Sequence, residues 1–334
     1  MENQVSNVGN NVRKKVRKKV RKKVKIQAFK GNLMLFMAAF IWGTAFVAQS
    51  AGMEFIGPFT FNAIRNYIAF IVLIPLIFII HRISGNQGTV HKNSSSKKDV
   101  IKAGICCGCM LFLASSFQQI GIKYTSVGKA GFITTFYVII IPLLGLFMGK
   151  RIGLKIVISL IAAVLGLYLL CMSGGLESIS KGDFYILLCA FCNAFHILTV
   201  DHFSPKVDGA VLSCIQFLVC ALISTIPMIY IEMPAIADIL KSMGPILYAA
   251  VLSSGVAYTL QIFGQRYTEP VIASLLMSLE SVFSVLAGWV VLHQVLSFKE
   301  TLGCIIVFAA VTLAQMPESK IKILKRNKIK KISA

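Results

Sequence analysis

Glu280 is the side chain in this sequence best placed to do chemistry. It sits about ten residues into residues 270–292, a run that is otherwise apolar and long enough to cross a bilayer. An ionisable group at that depth costs about 2.5–3.5 kcal/mol on insertion scales, so its presence points to a functional site. A carboxyl group there suits the uptake and release of a proton. The competing role is a neutral Glu clamped by a hydrogen bond to a neighbouring helix.

The stretch around Glu280, residues 257–294, has an earlier copy. Slid back 143 positions without a gap, its residues 257–288 fall on residues 114–145. Ala114/Ala257, Gln118/Gln261, Gly121/Gly264, Tyr124/Tyr267, Thr125/Thr268, Ala130/Ala273, Leu143/Leu286 and Gly145/Gly288 then coincide, and Lys123 faces Arg266. Tyr137 is the repeat partner of Glu280, so both halves carry a polar group at this depth. At an offset of 151, Gly31/Gly182, Ala39/Ala190, Phe40/Phe191 and Ile64/Ile215 also match, which extends the duplication to a whole unit.

Other polar residues inside apolar runs complete the candidate set. Gln118, Gln119 and Gln261, with Tyr258, lie late in the third and eighth runs. A Gln in hydrocarbon must find either another helix or a substrate, and both roles stay open for these three. Arg65 lies about two turns into the second run, within snorkelling reach of the surface; it serves structure or binds an anion. Trp42 in the first run and Asn193 with His196 in the sixth hold related positions in the two halves. Trp42 suits close packing beside Gly43 or stacking on a flat substrate. For His196 a hydrogen-bonded structural role competes with a proton relay.

These residues need a scaffold, and the composition sets its class. The chain has 334 residues, 56% of them hydrophobic and only 14% charged, with a mean hydropathy of +0.77. A soluble protein of this size could not cover so much apolar surface, so the expected fold is all-α and polytopic in a membrane. Net charge is +21, yet 18 of the 34 Lys and Arg lie in residues 13–30 and 320–331. Basic tails beside apolar spans fit the positive-inside rule and attraction to anionic lipid, and argue against a nucleic-acid partner. Residues 12–25 read VRKK three times and then VK. The expectation is an unstructured basic tail that fixes topology, with a surface-lying basic helix as the alternative.

Ten apolar runs follow, at about 32–52, 58–80, 100–122, 128–149, 153–173, 183–202, 209–231, 244–264, 270–292 and 298–316. The expected organisation is a basic tail (1–30), a five-span repeat (31–173), a second five-span repeat (182–315) and a second basic tail (317–334). Connections are short except for the hydrophilic residues 81–99, read as a mobile loop. With the N-terminus inside, cytoplasmic segments hold 28 Lys and Arg and outer loops 5, which predicts that both termini face the cytoplasm. Five spans per half, an odd number, would insert the second copy upside down relative to the first. That inverted arrangement is a transporter architecture.

The nine cysteines are an odd number set mostly inside spans, as small packing residues, so no disulfide framework or metal site is implied. Neither is a cofactor, because the sequence holds no P-loop, GxSxG or HExxH motif and no clustered Cys and His.

The ten runs as five plus five, Trp42-Gly43 in the first, Arg65 in the second and the run 275–292 together resemble the drug/metabolite transporter superfamily, EamA type. Its fourth-span pattern of a Pro followed by an apolar pair is similar to Ile141-Pro142-Leu143 in the first half. Leu279-Glu280-Ser281-Val282-Phe283 keeps the Glu and the Phe in the second half, with Ser281 where Pro is usual. The family's closing Gly-Glu pair is replaced by Gly149-Lys150 and His293-Gln294, with Glu300 nearby. The resemblance covers residues 31–315.

It implies a ten-span secondary transporter of the cytoplasmic membrane, moving a small metabolite, amino-acid-like or drug-like compound, outward, by alternating access. A nucleotide-sugar or lipid-linked carrier shares the architecture. An integral-membrane enzyme or a sensory protein is a rival from another class, the first disfavoured because the loops lack paired catalytic groups. Substrate, direction, coupling ion and oligomeric state are not written in the sequence.

Overall fold

A computed structural model describes residues 2–84, 96–125, 127–147, 149, 152–171, 180–292 and 297–316. Every regular element among them is helical. In chain order these are α1 (Glu2–Gly52), α2 (Pro58–Ser84), α3 (Lys97–Ile122), α4 (Val127–Thr134), α5 (Tyr137–Phe147), α6 (Leu154–Cys171), α7 (Lys181–Phe203) and α8 (Gly209–Pro227). There follow α9 (Ile236–Lys241), α10 (Met243–Tyr248), α11 (Thr259–Gln265), α12 (Pro270–Met277), α13 (Leu279–Leu292) and α14 (Phe298–Gln315). Two π-helical segments, Met228–Glu232 and Ala249–Tyr258, extend α8 and join α10 to α11.

Among the described residues six helical stretches are long and apolar enough to cross a membrane: Ile26–Gly52, Lys97–Ile122, Lys181–Phe203, Gly209–Glu232, Met243–Gln265 and Pro270–Ala287. Large apolar side chains such as Phe78, Phe147, Leu154 and Tyr230 point outward, and a surface of that kind needs lipid around it.

Local chemistry starts the helices. Ser180 and Asp183 form a reciprocal capping box at α7, Asp208 accepts from the Ala210 and Val211 amides at α8, and Pro270 occupies the first turn of α12. Pro227 closes α8, and the π turn after it ends at Met233, whose φ of 42° is left-handed.

The N-terminal tail departs from expectation. α1 is a single helix from Glu2 to Gly52, not an unstructured tail followed by a span. Lys and Arg are good helix formers, the VRKK repeats hold no breaker, and the first span supplies a nucleus from which the helix propagates. The basic residues 317–334 and most of the loop 81–99 lie outside the described residues.

Two helices break at the same place in the repeat. α4 stops at Thr134 and α5 restarts at Tyr137; α12 stops at Met277 and α13 restarts at Leu279. Both gaps precede the Tyr137/Glu280 positions, 143 residues apart.

Repeat partners also pack alike. A β-carbon at Gly31 would lie 2.9 Å from the Gly264 carbonyl oxygen, and one at Gly182 would lie 2.7 Å from that of Gly121. Thr268 donates to Asn32 and Thr125 donates to Asp183, at the same two offsets. The first helix of each half therefore grips the third helix of the other. The Gly31–Gly264 contact lies at the Gln27 end of the bundle, the Gly121–Gly182 contact at the Glu232 end. The largest apolar core, around Leu35, Ile141, Leu276 and Val307, joins both halves.

Candidate functional site

A small cavity of about 40 Å³ lies between the halves. α1 contributes Trp42, Phe46 and Gln49, three residues at helical spacing that share one face. α2 contributes Arg65 and α3 Gln118, the broken fourth run Thr134 and Tyr137, and α7 Asn193, His196 and Ile197. Ser253 and Tyr258 come from the second π segment, Gln261 from α11, and Met277 and Glu280 from either side of the α12–α13 break. Nine sequence-selected residues thus meet in one place: Trp42, Arg65, Gln118, Tyr137, Asn193, His196, Tyr258, Gln261 and Glu280. Gln119 does not join them. One residue on from Gln118, it faces about 100° away and is wholly buried elsewhere.

At the centre, the Tyr137 hydroxyl donates to Glu280 Oε1 at 3.2 Å. The two repeat partners hydrogen-bond to each other. Glu280 is 5% exposed, too little for bulk water to solvate its carboxyl group. Ser281, where the family pattern has Pro, donates to the Gly131 carbonyl at 2.9 Å, tying α13 to α4 beside the break. A Pro has no hydroxyl for that bond. Gly43 lets α1 approach: a β-carbon there would lie 2.6 Å from the Glu280 carbonyl oxygen.

The aromatic wall is held more firmly. Trp42 Nε1 donates to the Ser253 carbonyl at 3.3 Å, and its ring meets that of Tyr258 edge-on at 4.8 Å. Tyr258 also meets His196 at 5.9 Å and Phe217 at 5.8 Å. His196 Nε2 pairs with Gln216 Oε1 at 3.2 Å, which supports its structural role more directly than a relay. Ser253 lies in the π segment, a widened turn of the kind that recurs at functional sites.

Among the described residues several other lining atoms lack hydrogen-bond partners. Among the described residues no carboxylate pairs with Arg65. Its Nε is buried without a hydrogen bond, and its guanidinium carbon stands 5.7 Å from the Phe61 ring centre. Gln49 Oε1 and Gln261 Oε1 make no hydrogen bond, and the Thr134 hydroxyl has only the Cys189 sulfur beside it. Among the described residues the cavity therefore presents a cationic group that no carboxylate pairs, a carboxyl group held by Tyr137, and amide and hydroxyl oxygens without a hydrogen bond. Phe46, Gln49, Thr134, Ser253 and Met277 were not anticipated; only Gln49, seven residues after Trp42, carried a sequence signal. Among the described residues no group of three or more His, Cys, Asp or Glu could hold a metal ion.

A wider cleft of about 950 Å³ opens at the Gln27 end. It is lined by Gln27, Pro142, Lys155, Asp201, Arg266 and Glu269 among others. Through Leu198 and Ile272 its wall adjoins Ile197 and the α12–α13 break at the central cavity.

Comparison with known proteins follows the duplication. The model of the EamA-like transporter family matches twice, over residues 29–172 and 180–316. An uncharacterized transporter of Archaeoglobus fulgidus is 26% identical over 292 residues, 87% of each chain. Another uncharacterized transporter from that organism is 23% identical over 296 residues, 85% of this chain and 98% of its own. A solved crystal structure superposes with a TM-score of 0.69 at 19% identity, covering 85% of this chain and 96% of its own, and so shares the fold. The chain belongs to the EamA-like transporter family, and it is a multi-pass membrane transporter.

Proposed function

We propose that the protein is a secondary transporter of the cytoplasmic membrane. It carries a small amphoteric compound of the amino-acid kind outward by alternating access and exchanges it for protons. The carrying observation is the Tyr137–Glu280 hydrogen bond between repeat partners, in a cavity that also holds unpaired Arg65. Arg65 supplies a partner for a carboxylate; Glu280 takes either the substrate's ammonium group or a proton. Trp42 and Tyr258 offer an aromatic wall, and Gln118, Gln261 and Asn193 offer amides for orientation.

The reading rests on ten spans arranged as two inverted halves. The paired Gly31–Gly264 and Gly121–Gly182 contacts at opposite ends support inversion, as does a partner-to-partner bond at the centre. With both termini cytoplasmic, the Gln27 end faces inward, so the wide cleft is the cytoplasmic approach and the Glu232 end is shut. The arrangement is that of a transporter.

Metabolite profiling of cells with and without the protein identifies what it moves. Flux of that compound in proteoliposomes under an imposed pH gradient then tests the mechanism. Wild-type flux indifferent to the gradient would remove proton exchange; no compound carried at all would remove transport.

A further inference from the structure

Three helices meet just beyond the cavity, on its Glu232 side. Asn66 of α2 donates to Cys220 Sγ of α8 at 3.3 Å, and Ser115 of α3 lies 3.9 Å from the same sulfur. Four residues further toward the Glu232 end, each helix presents another polar side chain from the same face: Asn62, Ser224 and Gln119. All three are 0% exposed. Among the described residues neither amide atom of Asn62 nor of Gln119 has a hydrogen bond, and the Ser224 hydroxyl has only the Cys220 sulfur beside it. Ser116, next to this face, has an unpartnered hydroxyl too.

A buried amide without a partner costs about 1–3 kcal/mol. Two complete amides at one junction are a large expense for packing alone, and apolar residues would serve packing better. They belong where water or a moving polar solute meets them. Arg65, one turn from Asn62, links the junction to the central cavity.

The junction also has a door. Glu232, from the π turn that ends α8, accepts hydrogen bonds from the Phe59 amide at 2.8 Å and from the Thr60 amide and hydroxyl at 2.6 Å each. It caps α2 from the other half of the protein. Gly57 makes room for it: a β-carbon there would lie 2.2 Å from Glu232 Cδ.

We propose that Asn62, Gln119 and Ser224 form a hydrated station on the substrate's route between the central cavity and the far surface, and that release of Glu232 from α2 opens it. This rests on the transport reading above. The station's ligands are water and the polar groups of the passing solute.

Cys220 reports on the station without knowledge of the substrate. In full-length protein retaining only this one of its nine cysteines, a small water-soluble methanethiosulfonate is applied and modification is followed by mass spectrometry. Glu232→Gln weakens the clasp, and the rate at Cys220 should rise roughly tenfold or more, because charge-assisted bonds are lost only from the closed state. Ser224→Cys in a cysteine-free background gives a second reporter if the first protein folds poorly. In separate proteins Asn62→Leu and Gln119→Leu should slow flux by roughly tenfold while the unfolding temperature holds or rises.

Labelling unchanged by Glu232→Gln at both reporters would overturn the proposal. So would wild-type flux in both Leu variants. If instead the wild-type protein carries nothing, the transport reading fails on its own, and the labelling still shows whether the station is wet.

Discussion

The junction of α2, α3 and α8 has a counterpart at the other end of the duplication, and the two are built from opposite materials. At the offsets of 143 and 151, Asn66 becomes Phe217, Gln119 becomes Ile262, Cys220 becomes Ala69 and Ser224 becomes Leu73. All four counterparts are buried and apolar, and Ala69, Leu73 and Phe217 form one cluster. Asn62 and Ser116 become Ser213 and Thr259, which satisfy each other at 2.9 Å. Among the described residues Asn62 and Gln119 of one copy stay unpaired, whereas the other copy is dry; Cys220 borders both, packed in the same cluster as Ala69, Leu73 and Phe217. An apolar core specifies packing, whereas an unpaired polar junction gives up stability for passage of something polar. On the dry copy's side the approach is instead the wide cleft between α5, α7 and α12.

The contrast breaks most sharply by moving an amide to the wrong copy. Ile262→Asn should cost about 3–5 kcal/mol, from lost apolar burial and a new unpaired amide. Gln119→Leu, the reverse exchange, should stay within about 1 kcal/mol of wild type or exceed it. Thermal unfolding in detergent checks both. Equal losses would mean that both junctions are packed cores.

Next in size is the position between the copies. Glu280→Gln should fold normally yet lose pH-dependent flux, because the amide keeps the shape and the Tyr137 contact but cannot exchange a proton. Tyr137→Phe removes one hydrogen bond, so flux should fall by about tenfold or less. Wild-type flux and pH dependence in Glu280→Gln would reduce the pair to a clamp between helices.

The smallest effect concerns which end faces which compartment. A reporter after Ala334 should read cytoplasmic and one within residues 174–182 external. Deleting residues 12–25 should leave flux intact, since Lys30 and the remaining inner loops still bias insertion. An external C-terminus would exchange the two ends, and complete loss of activity in a correctly inserted deletion would give the basic helix a further task.

The sequence was most informative where the duplication repeats itself. Gln118 and Gln261, or Tyr137 and Glu280, are legible because the offset superposes them, and depth in an apolar run marks each as costly. Gln119 lies off the central cavity because a one-residue step turns a helical side chain by about 100°, which span boundaries good to a few residues cannot resolve. The breaks at Thr135–Phe136 and Ser278 carry no Gly or Pro at the break itself, so no local breaker announced them. The π segment Ala249–Tyr258 has no composition signal either. α1 differs for another reason: the basic repeats alone signal no helix, and the span that follows them nucleates it.

The Tyr137–Glu280 contact bears on how such a protein could arise. In an assembly of two identical halves related by a twofold axis, a residue on the axis touches only its own copy. A glutamate there faces a glutamate, and two carboxylates in a dry site cannot both ionise; a tyrosine faces a tyrosine and holds no exchangeable proton near neutral pH. An acid steadied by a phenol is a combination that no such homodimer can encode. Joining the halves in one chain lifts that restriction, because each side of the axis then mutates alone. Under the inverted arrangement proposed above, a single chain can therefore set an acid against a phenol at this position, as Glu280 and Tyr137 are.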